Sequence, residues 1–130
     1  MDKKFKILIA DRNRNVRNLL QRELLDEGYQ VILAGEDREL LQILQSENPP
    51  DLLILDPDIP SSFPQPELIK FVHSRDSALP IVIHTFWSDD SHYQNMPGVA
   101  MCLEKEEDIG ELKKAVAEVL DKYYQLQQSI

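Results

Sequence analysis

Five short apolar runs recur along this chain of 130 residues, and the stretches between them carry helical spacing. The runs are Lys6 to Ala10, Tyr29 to Ala34, Asp51 to Leu55, the run from Ile81 that ends at Thr85 behind Pro80, and Val99 to Leu103. Runs this short and continuous read as strands buried on both faces, the situation of a parallel sheet with helices on each side. Between the first two runs, Val16, Leu19, Leu20 and Leu24 fall on one helical face, with Asn13 as a cap and Gly28 as a stop. A second helix opens at Asp37, carries Leu40, Leu41 and Leu44, and is stopped by Pro49-Pro50. Pro64 and Pro66 punctuate a loop before a shorter helix, Glu67 to Ser74. Ile109, Leu112, Val116, Val119, Leu120 and Tyr123 form the stripe of the last helix, with Gln125 to Ile130 expected to fray. Trp87 to Gly98 has little periodicity and reads as one or two helical turns or a loop. The expected architecture is α/β, (βα)5, in one domain over residues 1–130 with no internal linker or repeat.

A polar residue stands at the end of four of these runs: Asp11, Asp56, Thr85 and Lys105. In a parallel sheet those ends lie together at the carboxyl edge, where open α/β sheets bind ligands. Two carboxylates, a hydroxyl and an ammonium meeting there suit phosphoryl chemistry. Each residue alone has a plainer reading. Asp56 would be an acidic strand end, Thr85 a β-branched strand residue, and Lys105 a solvated lysine among Glu104, Glu106 and Glu107. Their shared register favours the site.

The bulk properties remove other classes. A net charge of −9 argues against nucleic acid as a direct partner. Nothing approaches the roughly 18 apolar residues of a membrane span. The start Met-Asp-Lys-Lys lacks a signal region, so a cytoplasmic location is expected. Cys102, the only cysteine, rules out an intrachain disulfide and reads as a small buried hydrophobe. His84, inside the fourth run, reads as a packed histidine. His73 and His92 show no metal-ligand spacing. Arg14 and Arg17 read as solvent-facing.

Asp56 in "DLLILDPDIP", Thr85 in "PIVIHT", Lys105 in "GVAMCLEK" and the opening "KILIADRNRNVRNLL" together resemble the receiver domain of two-component response regulators. The resemblance covers essentially the whole chain. It implies a flavodoxin-like sheet of five parallel strands in the order 2-1-3-4-5. It also implies that Asp56 accepts a phosphoryl group from a sensor histidine kinase or phosphotransfer protein. Thr85 and Lys105 would be the phosphate and switch residues, and the backbone carbonyl of Asp58 a ligand to Mg²⁺. The partner on the output side would be a downstream protein or a covalently linked output domain, and none is expected in this chain. Chemistry would be limited to self-phosphorylation and autodephosphorylation at Asp56.

The chain departs from that pattern in four places. Two adjacent acids usually follow the first strand, the second ligating the metal directly; here Asp11 is followed by Arg12. A guanidinium has only donors and stays protonated, so it cannot ligate a cation. The lysine is usually followed by proline, often through a cis bond; here Glu106 follows, and a trans bond is expected. The aromatic switch position is Cys102. The segment between Thr85 and Lys105 is shorter than usual and contains Pro97, which degrades the fourth helix. Three crowded carboxylates, Asp11, Asp56 and Asp58, need a cation. Arg12 is expected to replace the metal, which makes Mg²⁺ binding at Asp11, Asp56 and Asp58 doubtful.

Three functions follow. The first is an atypical receiver with a degraded metal site. The second is a phosphorylation-independent pseudo-receiver that acts as an interaction module. The third is a small phosphatase, because Asp56-Pro57-Asp58 resembles the Asp-x-Asp motif of haloacid-dehalogenase-like enzymes. Those enzymes place the motif on the first strand and need a later acidic pair.

Overall fold

The computed structural model describes residues 4–86, 93–106 and 108–128. The expectations for Trp87, His92, Glu107 and the last two residues lie outside them. Nine elements alternate: β1 (Lys6–Ala10), α1 (Arg14–Asp26), β2 (Gln30–Ala34), α2 (Asp37–Leu44), β3 (Leu52–Leu55), α3 (Gln65–Arg75), β4 (Ile81–Thr85), β5 (Val99–Glu104) and α4 (Gly110–Gln128). The strands form one parallel sheet in the order β2-β1-β3-β4-β5. Among the described residues no helix separates β4 from β5, and Tyr93 to Gly98 is turn.

Strand alternation divides the core in two. Ile7 and Ile9 of β1, Leu52 and Ile54 of β3, and Val82 of β4 pack with Leu20 and Leu24 of α1 and Leu112, Val116, Val119 and Leu120 of α4. Leu8, Leu53, Leu55, Ile81 and Ile83 face the other way, onto Leu40 of α2 and Leu68, Ile69 and Val72 of α3. Between β4 and β5 the register slips: Ile81 pairs with Val99, but Val82 pairs with Met101. The extra residue, Ala100, shifts the phase of β5. Met101 and Leu103 therefore pack on the α1 and α4 side, while Cys102, half-buried, packs on the α2 and α3 side. That bulge sets the phase in which β5 runs out to Lys105.

Local signals explain most element ends. Asn13 caps α1, its side chain accepting from the backbone N–H groups of Asn15 at 2.9 Å and Val16 at 3.1 Å. Strand ends differ from the sequence reading by one residue at most, and three helix ends differ by more. Helix α3 begins at Gln65, so Pro66 sits inside its first turn, where a missing N–H costs nothing. Helix α2 ends at Leu44, short of Pro49-Pro50, and Ser46 donates its hydroxyl to the Ile43 carbonyl. Helix α4 continues to Gln128 rather than fraying from Gln125.

Two turns require glycine. Gly28 has φ +95° in open space, and Gly98 has φ +87° with a Cβ position 2.7 Å from His73 Nδ1. Gly28→Ala should cost about 1–2 kcal/mol from backbone strain alone. Gly98→Ala should cost about 1–3 kcal/mol more, because His73 must also move. Urea unfolding of the two variants measures the difference; equal losses would mean that His73 turns aside freely.

Candidate functional site

Strands β1 and β3 lie side by side, and each delivers a carboxylate where its ladder ends. Ala10 pairs with Leu55, so Asp11 and Asp56 follow as neighbours. The Asp56 N–H donates to the Ala10 carbonyl at 2.8 Å, and the Asp11 N–H to the Ala34 carbonyl at 3.0 Å. Both side chains are sealed, Asp11 at 2% and Asp56 at 1% exposure. On β4, Leu55 pairs with Ile83, and Thr85 ends that strand two residues later, also buried. The Lys105 N–H donates to the Thr85 carbonyl, which joins the ends of β4 and β5.

Backbone groups wrap the two acids. Asp11 Oδ1 accepts from the Asn13 N–H at 2.8 Å. Asp56 Oδ1 accepts from the Asp58 N–H at 3.0 Å, and Oδ2 from the Arg12 N–H at 3.3 Å. Two side-chain cations then enter. Lys105 is itself buried, with Nζ 2.9 Å from Asp11 Oδ2 and 3.5 Å from Asp56 Oδ2. Its ammonium also lies 4.8 Å from the centre of the exposed Phe86 ring. Arg12 comes from the solvent side, Nε 3.5 Å from Asp56 Oδ2 and one terminal nitrogen 3.7 Å from Asp58 Oδ2. The arginine therefore bridges two carboxylates instead of forking onto one, at distances longer than a charge-assisted hydrogen bond. Three carboxylates with two cations leave one net negative charge in the cluster.

Asp11, Arg12, Asp56, Asp58 and Lys105 thus meet, with Thr85 beside them at the end of β4. One residue has a role that sequence reasoning missed. Arg17 is half-buried rather than fully solvent-facing: its guanidinium donates to the Asp11 carbonyl at 2.7 Å and packs over Gly35, where a Cβ would lie 3.0 Å away. The signal was there, since Arg17 is one turn beyond Asn13 and Gly35 leaves β2 beside the end of β1. His84 is packed as expected, at 4% exposure, but its Nδ1 has no hydrogen-bond partner among the described residues.

The side chains present do not make an octahedral oxygen site. Among the described residues no three acidic, histidine or cysteine side chains are placed to hold one ion. Asp56 Oδ2 is already met by Arg12 and Lys105, and Arg12 supplies donors where an acid would supply oxygen. The arrangement can instead present a carboxylate nucleophile flanked by fixed positive charge.

The family model for the response regulator receiver domain matches residues 7–117. Sporulation initiation phosphotransferase F of Bacillus subtilis is 32% identical over 117 residues, covering 88% of this chain and 93% of that protein. Response regulator MprA of Mycolicibacterium vanbaalenii is 36% identical over 80 residues; the match covers 62% of this chain and only 34% of that relative. Among solved structures, response regulator protein TrrA from Thermotoga maritima, in complex with Mg²⁺ and BeF, is similar with a TM-score of 0.76 and 28% identity. That match covers 89% of this chain and 98% of the other. Chemotaxis response regulator CheY4 of Vibrio cholerae gives 0.79 and 26%, covering 90% and 99%.

Two buried groups link stability to pH in opposite senses. Burial raises the carboxyl pKa of Asp11, with the Asp56 charge adding to it, against the opposing pull of Lys105 and the Asn13 N–H. What Asp11 contributes to stability is therefore lost as pH rises through its raised value. His84 is pushed down to about 4, by burial first and by the Lys105 charge second. Between about 6.5 and 4 the unfolded chain binds a proton at this histidine that the folded chain does not, so acid removes stability there. The loss should reach about 3 kcal/mol across that window. Urea unfolding at several pH values should show His84→Leu losing less between pH 6.5 and 4 than the natural protein, and parallel curves would contradict the assignment.

Proposed function

This chain belongs to the response regulator receiver domain family of two-component systems, and from that premise we propose that it is an atypical receiver whose own cations replace the metal. Asp56 is the phosphoacceptor-type carboxylate. Thr85 and Lys105 are its phosphate and switch partners, Asp11 and Asp58 complete the acidic pocket, and Arg12 is the cation replacement. The observation that carries the reading is Arg12 bridging Asp56 and Asp58 while Lys105 holds Asp11 and Asp56.

In-line transfer from a phosphohistidine forms an Asp56 O–P bond as the P–N bond breaks, and the electron pair stays on the imidazole nitrogen. The transition state spreads negative charge over three phosphoryl oxygens, and neutralising it is the protein's main task. Arg12 and Lys105 stand beside the nucleophile and supply part of that charge. Neither bridges both reactants as a metal does, so transfer is slow and independent of Mg²⁺.

Receiver domains are signalling modules that work with histidine kinases or phosphotransfer proteins and with output domains. For this chain the proposed donor is such a kinase or phosphotransfer protein. The proposed recipient is a downstream protein or a linked output domain rather than nucleic acid directly. No helix among the described residues is long and apolar enough to cross a membrane.

One observation favours a second reading, the phosphorylation-independent interaction module. Asp56 Oδ2 already meets the Arg12 N–H, the Arg12 side chain and Lys105, so this carboxylate is paired without any phosphoryl group. The phosphatase reading has less support, because the Asp-x-Asp run follows β3 and only helix α4 follows Lys105 among the described residues.

Arg12→Asp separates charge replacement from a hidden metal site. It supplies an oxygen ligand and removes the competing guanidinium, so calorimetry should find Mg²⁺ binding at least an order of magnitude tighter than in the natural protein. Tight binding by the natural protein, unchanged by the substitution, would sink the reading.

A further inference from the structure

Sheet register brings one further side chain to Lys105. Thr85 pairs with Glu104, so the residues that follow on the two strands, Phe86 and Lys105, leave the sheet side by side. The Lys105 N–H donates to the Thr85 carbonyl at that point and fixes the spacing of the two backbones. Side chains opposite each other on neighbouring strands come into contact. Here the centre of the Phe86 ring lies 4.8 Å from Lys105 Nζ.

Exposure shows which partner gains from the contact. Phe86 is 50% exposed, whereas the Lys105 side chain is 4% exposed and its Nζ is sealed from water. A lysine ordinarily keeps its ammonium in water. This one has Asp11 Oδ2 at 2.9 Å, Asp56 Oδ2 at 3.5 Å and the ring as its surroundings. The face of an aromatic ring attracts a cation yet carries no formal charge and takes no proton, so it does not compete with the two acids. The pair of Arg75 and Phe71, at 4.9 Å, makes a useful contrast, because Arg75 is exposed and water already serves its guanidinium.

We propose that Phe86 is a positioning residue for Lys105, its ring sealing the ammonium from water and holding it against Asp11 and Asp56. Without the ring, water reaches Nζ and weakens both ion pairs, and the flexible lysine stem leans toward solvent. The longer contact, to Asp56, is lost first. The bearing of this on phosphoryl transfer rests on the receiver reading, in which Lys105 is the phosphate partner. The contact itself belongs to the resting protein and is tested without any phosphoryl group.

The test labels the full chain by reductive methylation with formaldehyde and cyanoborohydride and reads each lysine by peptide mass spectrometry. Lys105 should react far more slowly than Lys113, whose side chain is 29% exposed. Phe86→Ala removes the ring, and Phe86→Leu keeps an apolar side chain without a ring face. Both should speed labelling of Lys105 by at least about tenfold, the worth of a desolvated cation–ring contact, with Lys113 unchanged. Phe86→Tyr keeps the ring and should keep the protection. Nuclear magnetic resonance of the natural protein needs no variant. It should show cross-relaxation between the Phe86 ring protons and the Lys105 ε-methylene, which the ring current shifts upfield. Four results would each overturn the proposal: Lys105 as reactive as Lys113 in the natural protein, Phe86→Ala or Phe86→Leu as protected as the natural chain, acceleration shared by Lys113, or absence of the ring contact in the spectra. None of them bears on whether Asp56 accepts a phosphoryl group, so failure here and failure of the receiver reading are told apart.

Discussion

Two carboxylates taken out of water side by side, Asp11 and Asp56, are the constraint on which this site depends. Buried acids at the ends of adjacent strands repel each other and lose hydration, and burial does raise the Asp11 pKa. Lys105 is the buried answer, and it must arrive from β5, two strands away from β3 across the sheet. The bulge at Ala100 sets the phase in which β5 runs out toward that lysine. A buried pair of this kind is weak evidence for stability in itself, yet loss of one partner leaves uncompensated charge. The cluster is better understood as fixing the relative positions of β1, β3 and β5.

Arg12 adds a second, looser layer. At 44% exposure it remains in contact with water, so screening limits what its two ion pairs contribute to stability. Its consequence is chemical. A divalent ion binds oxygens on several sides at once, whereas a guanidinium offers donors in a single plane. Arg12 and Lys105 thus offset two of the three carboxylate charges at rest.

Much of this was readable from the residues. Buried strands announce themselves as continuous apolar runs, so the pattern of the chain alone places β1 to β5 and their carboxyl-edge residues. Asn13 was readable because a cap has a local cause. The start of α3 was not, since Pro66 acts as a breaker inside a helix but is neutral in its first turn. The bulge at Ala100 was hidden because Val99 to Leu103 is apolar throughout, and a one-residue slip leaves no mark in a run without alternation. The contacts of Arg17 and the unpartnered Nδ1 of His84 were missed for a related reason. Their surroundings, the Asp11 carbonyl in one case and a sealed site at the end of β4 in the other, come from tertiary packing. A basic residue on a helix and a histidine in a strand both look ordinary until those neighbours are known.

The central claim is that fixed side-chain charge stands where a metal stands in ordinary receivers. Incubation of the natural protein with a small phosphodonor, with and without Mg²⁺, followed by intact mass, measures this most directly. The account predicts slow addition of one phosphoryl group, lost in Asp56→Asn, at the same rate in both conditions. Rapid addition that depends on Mg²⁺ would contradict it.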